Sequence, residues 1–303
     1  MPSIQSPLGA LPSRFRRQRI LIIGCGDVGV RVARQLAGRV RVLALTSSPT
    51  RCAELRAMGV VPLLGNLDIS SSLHRLAGLA QRIVHLAPPK SGGSSDTRTQ
   101  ALLSALRLRS RPLALVYGST SGVYGDCRGA VVTEIRKVNA QTERGIRRVD
   151  AEARVRHWGR ASGASACVLR IPGIYAADRE DGTPRGRLMK GLPVLQDAQD
   201  VYTNHIHADD LARACCRALW LGTSQRIYNV CDDTVLKMGA YFDLAADRYG
   251  LNRPPRVSRE EASVGLSPMQ LSFMRESRRL DNTRMKRELR LKLHYPHVSV
   301  GLI

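Results

Sequence analysis

The sequence predicts an α/β fold: a doubly wound parallel sheet covered by helices on both faces, with a smaller, discontinuous C-terminal region beside it. Three observations predict it. Runs of branched apolar residues alternate with amphipathic helical stretches from Ile20 to Ile171, as expected of buried parallel strands joined by crossover helices. A glycine triad, Gly24, Gly26 and Gly29, separates the first strand from the first helix. Beyond Pro172 the texture changes, and 176–205 carries Gly, Pro and Asp with little periodicity.

Residues 1–18 lack an apolar run and read as a loose basic tail ending in Arg14, Arg16 and Arg17, not as a signal peptide. The first strand, 20–23, stops at Gly24. Gly24 permits a tight turn, Gly26 lets the backbone approach a pyrophosphate, and Gly29 lets helix and strand pack closely. Val28, Val32 and Leu36 then give the next segment an apolar stripe at helical spacing. Its first residues, Asp27, Val28 and Gly29, offer free N–H groups and the positive dipole end to an anion. That is the Rossmann-type arrangement for a dinucleotide; the plainer reading is an ordinary strand–turn–helix.

A second strand is expected at 39–45, then a short helix to Met58 with Ser48 as N-cap and Pro49 in its first turn. Strands follow at 60–64 and 82–86, the latter halted by Pro88-Pro89. A Gly/Ser loop at 90–96 leads to a helix over 97–108, a fifth strand over 112–117, a long charged helix over 139–161 and a sixth strand over 166–171. Further on, a helix at 209–221 precedes a strand at 226–230, and helices are expected at 237–249 and 283–289. The organisation is therefore a 1–18 tail, a dinucleotide-binding unit of 19–175 that also receives about 206–232, and a substrate region of 176–205 and 233–303. Ligands of such sheets bind at the carboxyl ends of the strands.

The net charge of +22 raises nucleic acid as a partner. Only six of the 47 basic residues are lysines, and the arginines are spread along the helical segments instead of being gathered with aromatics, which are 4% of the chain. Solvated helix faces explain this better than specific nucleic-acid binding. Seven cysteines without a C-x-x-C pair point to buried reduced thiols, not to disulfides or zinc. No segment is apolar enough to cross a bilayer, and a cytoplasmic protein is expected.

The cofactor follows from the end of the second strand. An NAD-preferring unit usually ends it with Asp or Glu for the ribose 2′-hydroxyl. Here Thr46, Ser47 and, shortly after, Arg51 stand there, and a guanidinium suits a 2′-phosphate. NADP is thus favoured slightly over NAD, with Arg51 as a mere exposed helix residue the alternative.

Three further stretches, YGSTSGVYGD at 117–126, LRIPGIY at 169–175 and NHIHADDLA at 204–212, together with GCGDVG, resemble the extended short-chain dehydrogenase/reductase group, the NAD-dependent epimerase/dehydratase family. The resemblance spans about 20–232. GCGDVG and 142–148 most resemble an atypical branch of it. The resemblance places Thr120 at the catalytic Ser/Thr position and Tyr124 four residues later. It also implies that Pro172 and Gly173 line the nicotinamide side, that Asp68 approaches the adenine amino group, and that Ala87-Pro88 covers the adenosine ribose. His205 and His207, with Asp209 or Asp210, have metal-ligand spacing, but structural hydrogen bonding is preferred and no metal is expected.

The chain departs from the family at Tyr-x-x-x-Lys, whose lysine lowers the phenol's pKa for proton transfer. Arg144 takes the tyrosine position and Arg148 the lysine position. Arginine stays protonated and cannot act as a base near neutrality. It can bind an anion or polarise a carbonyl, or simply belong to a salt-laced helix surface. The proton then falls to Tyr124 or Glu143, with Thr120 as hydrogen-bonding partner and Arg144 or Arg148 as electrostatic support. The expected function is an NAD(P)-dependent oxidoreductase or epimerase/dehydratase-like enzyme acting on a small molecule with a non-standard acid/base. The alternative is a non-catalytic NAD(P)-binding sensor or regulatory protein. The sequence leaves room for a homodimer.

Overall fold

A computed structural model describes residues 17–179, 182–266 and 268–302. The predicted tail at 1–18, with Arg14 and Arg16, lies almost wholly outside the described residues. Seven strands make the central sheet: β1 Arg19–Ile23, β2 Arg41–Thr46, β3 Val61–Leu64, β4 Arg82–His85, β5 Ala114–Thr120, β6 Ser165–Ile171 and β7 Ile227–Asn229. Their spatial order is β7-β6-β5-β4-β1-β2-β3, and every neighbouring pair is parallel. The chain starts at the centre, winds outward to β3, returns through β4 and winds outward again. The switch between the two halves lies between β1 and β4, the crevice where such sheets hold ligands.

Side chains of β1 alternate between two cores, as the two-residue period of a strand requires. Ile20 and Ile22 pack with Val32 and Leu36 of helix α1 (Asp27–Leu36). Leu21 and Ile23 pack against the opposite face with Leu102 and Leu103 of α3 (Thr97–Ala105) and Val155 and Trp158 of α4 (Glu143–Ser162). The α1 face is completed by α5 (Ala208–Leu221) through Leu211, Cys215 and Leu219. Both layers of helices predicted from the alternation are thus present.

Two predicted helix starts move. Helix α2 (Arg51–Ala57) begins after Thr50, not after Ser48, because the Thr46 hydroxyl takes the Ser48 N–H and turns 46–50 before the helix can start. Helix α4 begins at Glu143, where the Thr142 hydroxyl accepts from the Gly145 N–H as N-cap. All seven cysteines are free, six of them buried.

A separate apolar cluster, with Tyr175, Leu195, Val201, Phe242 and Met274 among its members, forms the core of the C-terminal region around α6 (Met238–Tyr249). Short strand pairs tie it to the sheet: His205–His207 runs parallel to Gly173–Tyr175, and Arg279–Leu280 parallel to Val131–Val132. These pairs hold 202–205 and 276–280 over the carboxyl ends of β5 and β6. No helix among the described residues is long and apolar enough to cross a membrane.

Candidate active site

The glycine turn has the three properties its spacing predicts. Gly24 sits at φ +86°, and a Cβ there would lie 2.4 Å from the Ala87 nitrogen. A Cβ on Gly29 would lie 2.8 Å from the Gly24 carbonyl oxygen. Gly26 differs: a Cβ there would meet nothing within 4 Å. Two glycines are required by the fold, whereas Gly26 opens onto free space. It is also the N-cap of α1 and carries no side-chain cap, so the first-turn N–H groups face that space.

Around it, Arg51 donates to the Cys25 carbonyl at 2.9 Å and contacts Glu54 at 3.3 Å. Ser47 lies beside the Thr46–Ser48 turn. Asp68 is gripped by both ends of the Arg98 guanidinium, at 2.9 and 2.6 Å, which holds its carboxyl below the usual carboxylate range. The same arginine reaches the Pro88 carbonyl at 3.3 Å. Asp68 and Pro88 are therefore brought together, and the Asp68 carboxylate is already engaged. Asp27 turns from the α1 terminus to Arg31 at 3.0 Å and Arg179 at 2.8 Å.

Beside the turn lies a cavity of about 640 Å³. Its walls are Thr120–Gly122 at the end of β5, Thr142, Arg144 and Gly145 at the start of α4, Pro172–Ile174 after β6, Tyr202–His205, and Met238, Tyr241 and Phe242 of α6. Thr120, Arg144, Pro172 and Gly173, expected at a site from the sequence, meet here. Thr120 accepts from the Gly122 N–H at 3.2 Å, which fixes its side chain and leaves its own O–H to donate. Arg144 has no hydrogen-bond or ion-pair partner among the described residues. Enclosure by the walls, then the charge of Arg148, pull its pKa below the usual arginine value, yet arginine remains a cation at neutral pH.

Three expected residues are elsewhere. Tyr124 is buried, donates to Asn229 Oδ1 at 2.7 Å, and lies under the Arg170 guanidinium at 4.6 Å from its ring centroid. Burial raises its pKa despite Arg170, the opposite of what a proton donor near neutrality requires. Arg148 is also buried and donates to the Tyr117 hydroxyl at 3.0 Å and the Gly118 carbonyl at 2.6 Å. Glu143 is exposed and pairs with Arg147 at 3.2 Å. None of the three lines the cavity. Tyr124→Phe is accordingly expected to cost about 1 kcal/mol of stability for its lost buried hydrogen bond, and to leave dinucleotide affinity unchanged by calorimetry.

His205 and His207 clasp Tyr175 edge-on, with centroids 6.2 and 5.3 Å away. His205 stacks on Tyr241 at 4.0 Å and His207 on Tyr295 at 3.6 Å. Burial pushes His205 down to about 3, so it stays neutral. His207 Nδ1 accepts the Asp209 N–H at 3.2 Å, capping α5. Among the described residues no group of three His, Cys, Asp or Glu is placed to hold a metal.

Asp232 follows β7, and its N–H donates to the His205 carbonyl. Burial raises its carboxyl to about 7. The folded chain therefore holds this proton more tightly than the unfolded chain, so the stability it contributes is complete below about pH 4 and is lost as pH rises through about 7. Asp232→Asn keeps an acceptor for the Thr234 N–H. It is expected to raise the melting temperature relative to wild type above about pH 8 and to make little difference near pH 4.

The remaining walls carry residues the sequence reading missed. Arg179, Arg187 and Arg278 line the cavity with Arg144, and among the described residues the one carboxylate on the walls, Glu276, pairs with Arg278 at 2.7 Å. Arg179 and Arg278 are paired with Asp27 and Glu276, which leaves Arg144 and Arg187 without a carboxylate partner among the described residues. Beneath it, Glu152 grips Arg170 at 3.1 and 2.7 Å and accepts from the Ser119 hydroxyl at 2.6 Å, securing the strand that ends in Thr120.

A sequence profile of the NAD dependent epimerase/dehydratase family matches residues 20–231, the whole sheet and the Thr120 loop with it. The chain belongs to this family. No curated protein matches it by sequence. Among solved structures, a protein of unknown function from Silicibacter pomeroyi is 29% identical, with a TM-score of 0.79 over 94% of this chain and 96% of that one. The UDP-glucose 4-epimerase of Thermotoga maritima is 17% identical, with a TM-score of 0.75 over 94% and 96%. The dTDP-glucose 4,6-dehydratase of Streptomyces venezuelae, solved with NAD, is 21% identical, with a TM-score of 0.75 over 94% of each chain. The last two show the likeness of fold.

Proposed function

We propose that the chain is an NAD(P)-dependent enzyme of the oxidoreductase or epimerase/dehydratase kind, acting on a small anionic molecule. The observation that carries this is Arg144: an unpartnered guanidinium on the wall of a cavity that also presents Thr120 and Pro172-Gly173. An unneutralised charge on a cavity wall is positioned to attract and orient an anion. Arg179 lines the cavity and pairs with Asp27, the first residue of α1, so the cavity and the glycine turn share a residue.

The open space at Gly26 and the uncapped α1 terminus fit a dinucleotide's diphosphate. Bound there, the nicotinamide supplies or accepts a hydride. Thr120 donates a hydrogen bond to a substrate oxygen, and Arg144 stabilises negative charge on the substrate. Family membership supports NAD(H); Arg51 and the hydroxyls of Thr46 and Ser47, without a carboxylate at the end of β2, support NADP(H). The dehydratase likened above carries NAD.

A second reading has its own support. The arginines of the walls stay cationic, His205 is held near 3, burial raises Tyr241, and Tyr124 is sealed elsewhere. A dinucleotide-binding sensor needs no proton donor. Nicotinamide absorbance, together with product analysis by mass spectrometry and NMR for reactions that return the hydride to the substrate, followed while the protein with either oxidised or reduced cofactor is offered panels of anionic and neutral compounds, separates the readings. Turnover confined to anionic compounds and lost in Thr120→Val supports the enzyme. Cofactor binding without turnover on any compound supports the sensor.

A further inference from the structure

A second cavity, of about 790 Å³, shares no lining residue with the first. It lies between the carboxyl-terminal half of α1 and α5. Leu36, Val40 and Leu221 give it an apolar floor, and Trp220 stands at its wall with 42% of its surface exposed. Arg39 and Arg217 also line it, and both are exposed without a hydrogen-bond or ion-pair partner among the described residues. Arg213 is held by Asp210, and among the described residues the one carboxylate on the walls, Asp209, pairs at 2.5 Å with Arg31, which it shares with Asp27 and Asp178.

The chemistry of these walls is divided. An apolar floor with an indole gains by covering aliphatic or aromatic carbon, while two free guanidiniums at its rim offer planar, charged donors to an oxyanion. The volume falls within the roughly 300–1,000 Å³ of small-molecule sites. We propose that this cavity binds a small amphipathic carboxylate, its apolar body against Leu36, Val40, Leu221 and Trp220 and its head between Arg39 and Arg217. A polyanion would need cations set along a surface, and a neutral apolar ligand would have no use for the two arginines. The site is independent of the dinucleotide reading.

The chain has two tryptophans, Trp158 is 1% exposed and outside the cavity, and a ligand-dependent change in the fluorescence of the full chain therefore reports Trp220. Dodecanoate, titrated below its aggregation concentration and checked by calorimetry, is the probe. A saturable response is expected, with weaker binding of dodecanol and none of dodecyltrimethylammonium. The double variant Arg39→Gln/Arg217→Gln should weaken dodecanoate by roughly tenfold or more. It should melt with wild type, since neither side chain holds anything in the fold. Equal binding of the alcohol or the cation, undiminished binding by the double variant, or no heat and no fluorescence change would overturn the proposal. So would binding to phosphatidylglycerol vesicles without binding of free dodecanoate, which points to a membrane surface instead.

Discussion

Gly26→Ala is expected to weaken dinucleotide binding roughly tenfold to a hundredfold while lowering stability by less than about 1 kcal/mol. The backbone at Gly26 has φ −78°, which any residue adopts, and the added methyl group meets no protein atom. The methyl group instead fills the space through which the backbone N–H groups reach a diphosphate. Gly24→Ala makes the contrast. Its methyl group would press on the Ala87 backbone at 2.4 Å from a positive-φ residue, and stability should fall by about 1–3 kcal/mol or more. Thermal unfolding and calorimetric titration of the two variants separate a glycine kept for a ligand from one kept for the fold. Undiminished affinity in Gly26→Ala would remove the diphosphate from this turn.

The second large effect is expected at Arg144. Its guanidinium has no partner to lose and stands near the like charge of Arg148, so Arg144→Gln should leave the melting temperature unchanged or slightly higher. Affinity or turnover for an anionic substrate should fall by roughly tenfold to a hundredfold, because a charge-assisted hydrogen bond is lost. Arg144→Lys should recover part of the loss, keeping the charge without the planar fork. Steady-state kinetics with matched anionic and neutral compounds is the measurement. An equal loss for both would show that Arg144 shapes the cavity without reading charge.

Much of the fold was legible because its signals are local. Runs such as 20–23 and 166–171, rich in branched apolar residues and too short for a helix, read as buried strands, and the glycine triad marks the turn at the switch point. The candidate site was legible in part. Thr120, Pro172 and Gly173 stand directly after strands, where position along the chain and position at the cavity coincide. Tyr124 lies only four residues beyond Thr120, but one short helical turn carries it into the core beneath Arg170, and no local pattern distinguishes a buried phenol from one facing a ligand. Arg179, Arg187 and Arg278 were hidden by abundance. With arginine spread over the whole chain, nothing local marks those that the C-terminal region folds over the strand ends. Arg144 and Arg148 occupy the same helix one turn apart, yet one faces the cavity and the other Tyr117 and Gly118. That difference is set by the packing of α4 on β5 and not by spacing.

Calorimetric titration of the full chain with NAD⁺, NADH, NADP⁺ and NADPH tests the central claim most directly, that a nicotinamide dinucleotide lies with its diphosphate at Gly26. Saturable binding of at least one of them, at one site per chain, is the expected result. Absence of binding by all four would contradict it.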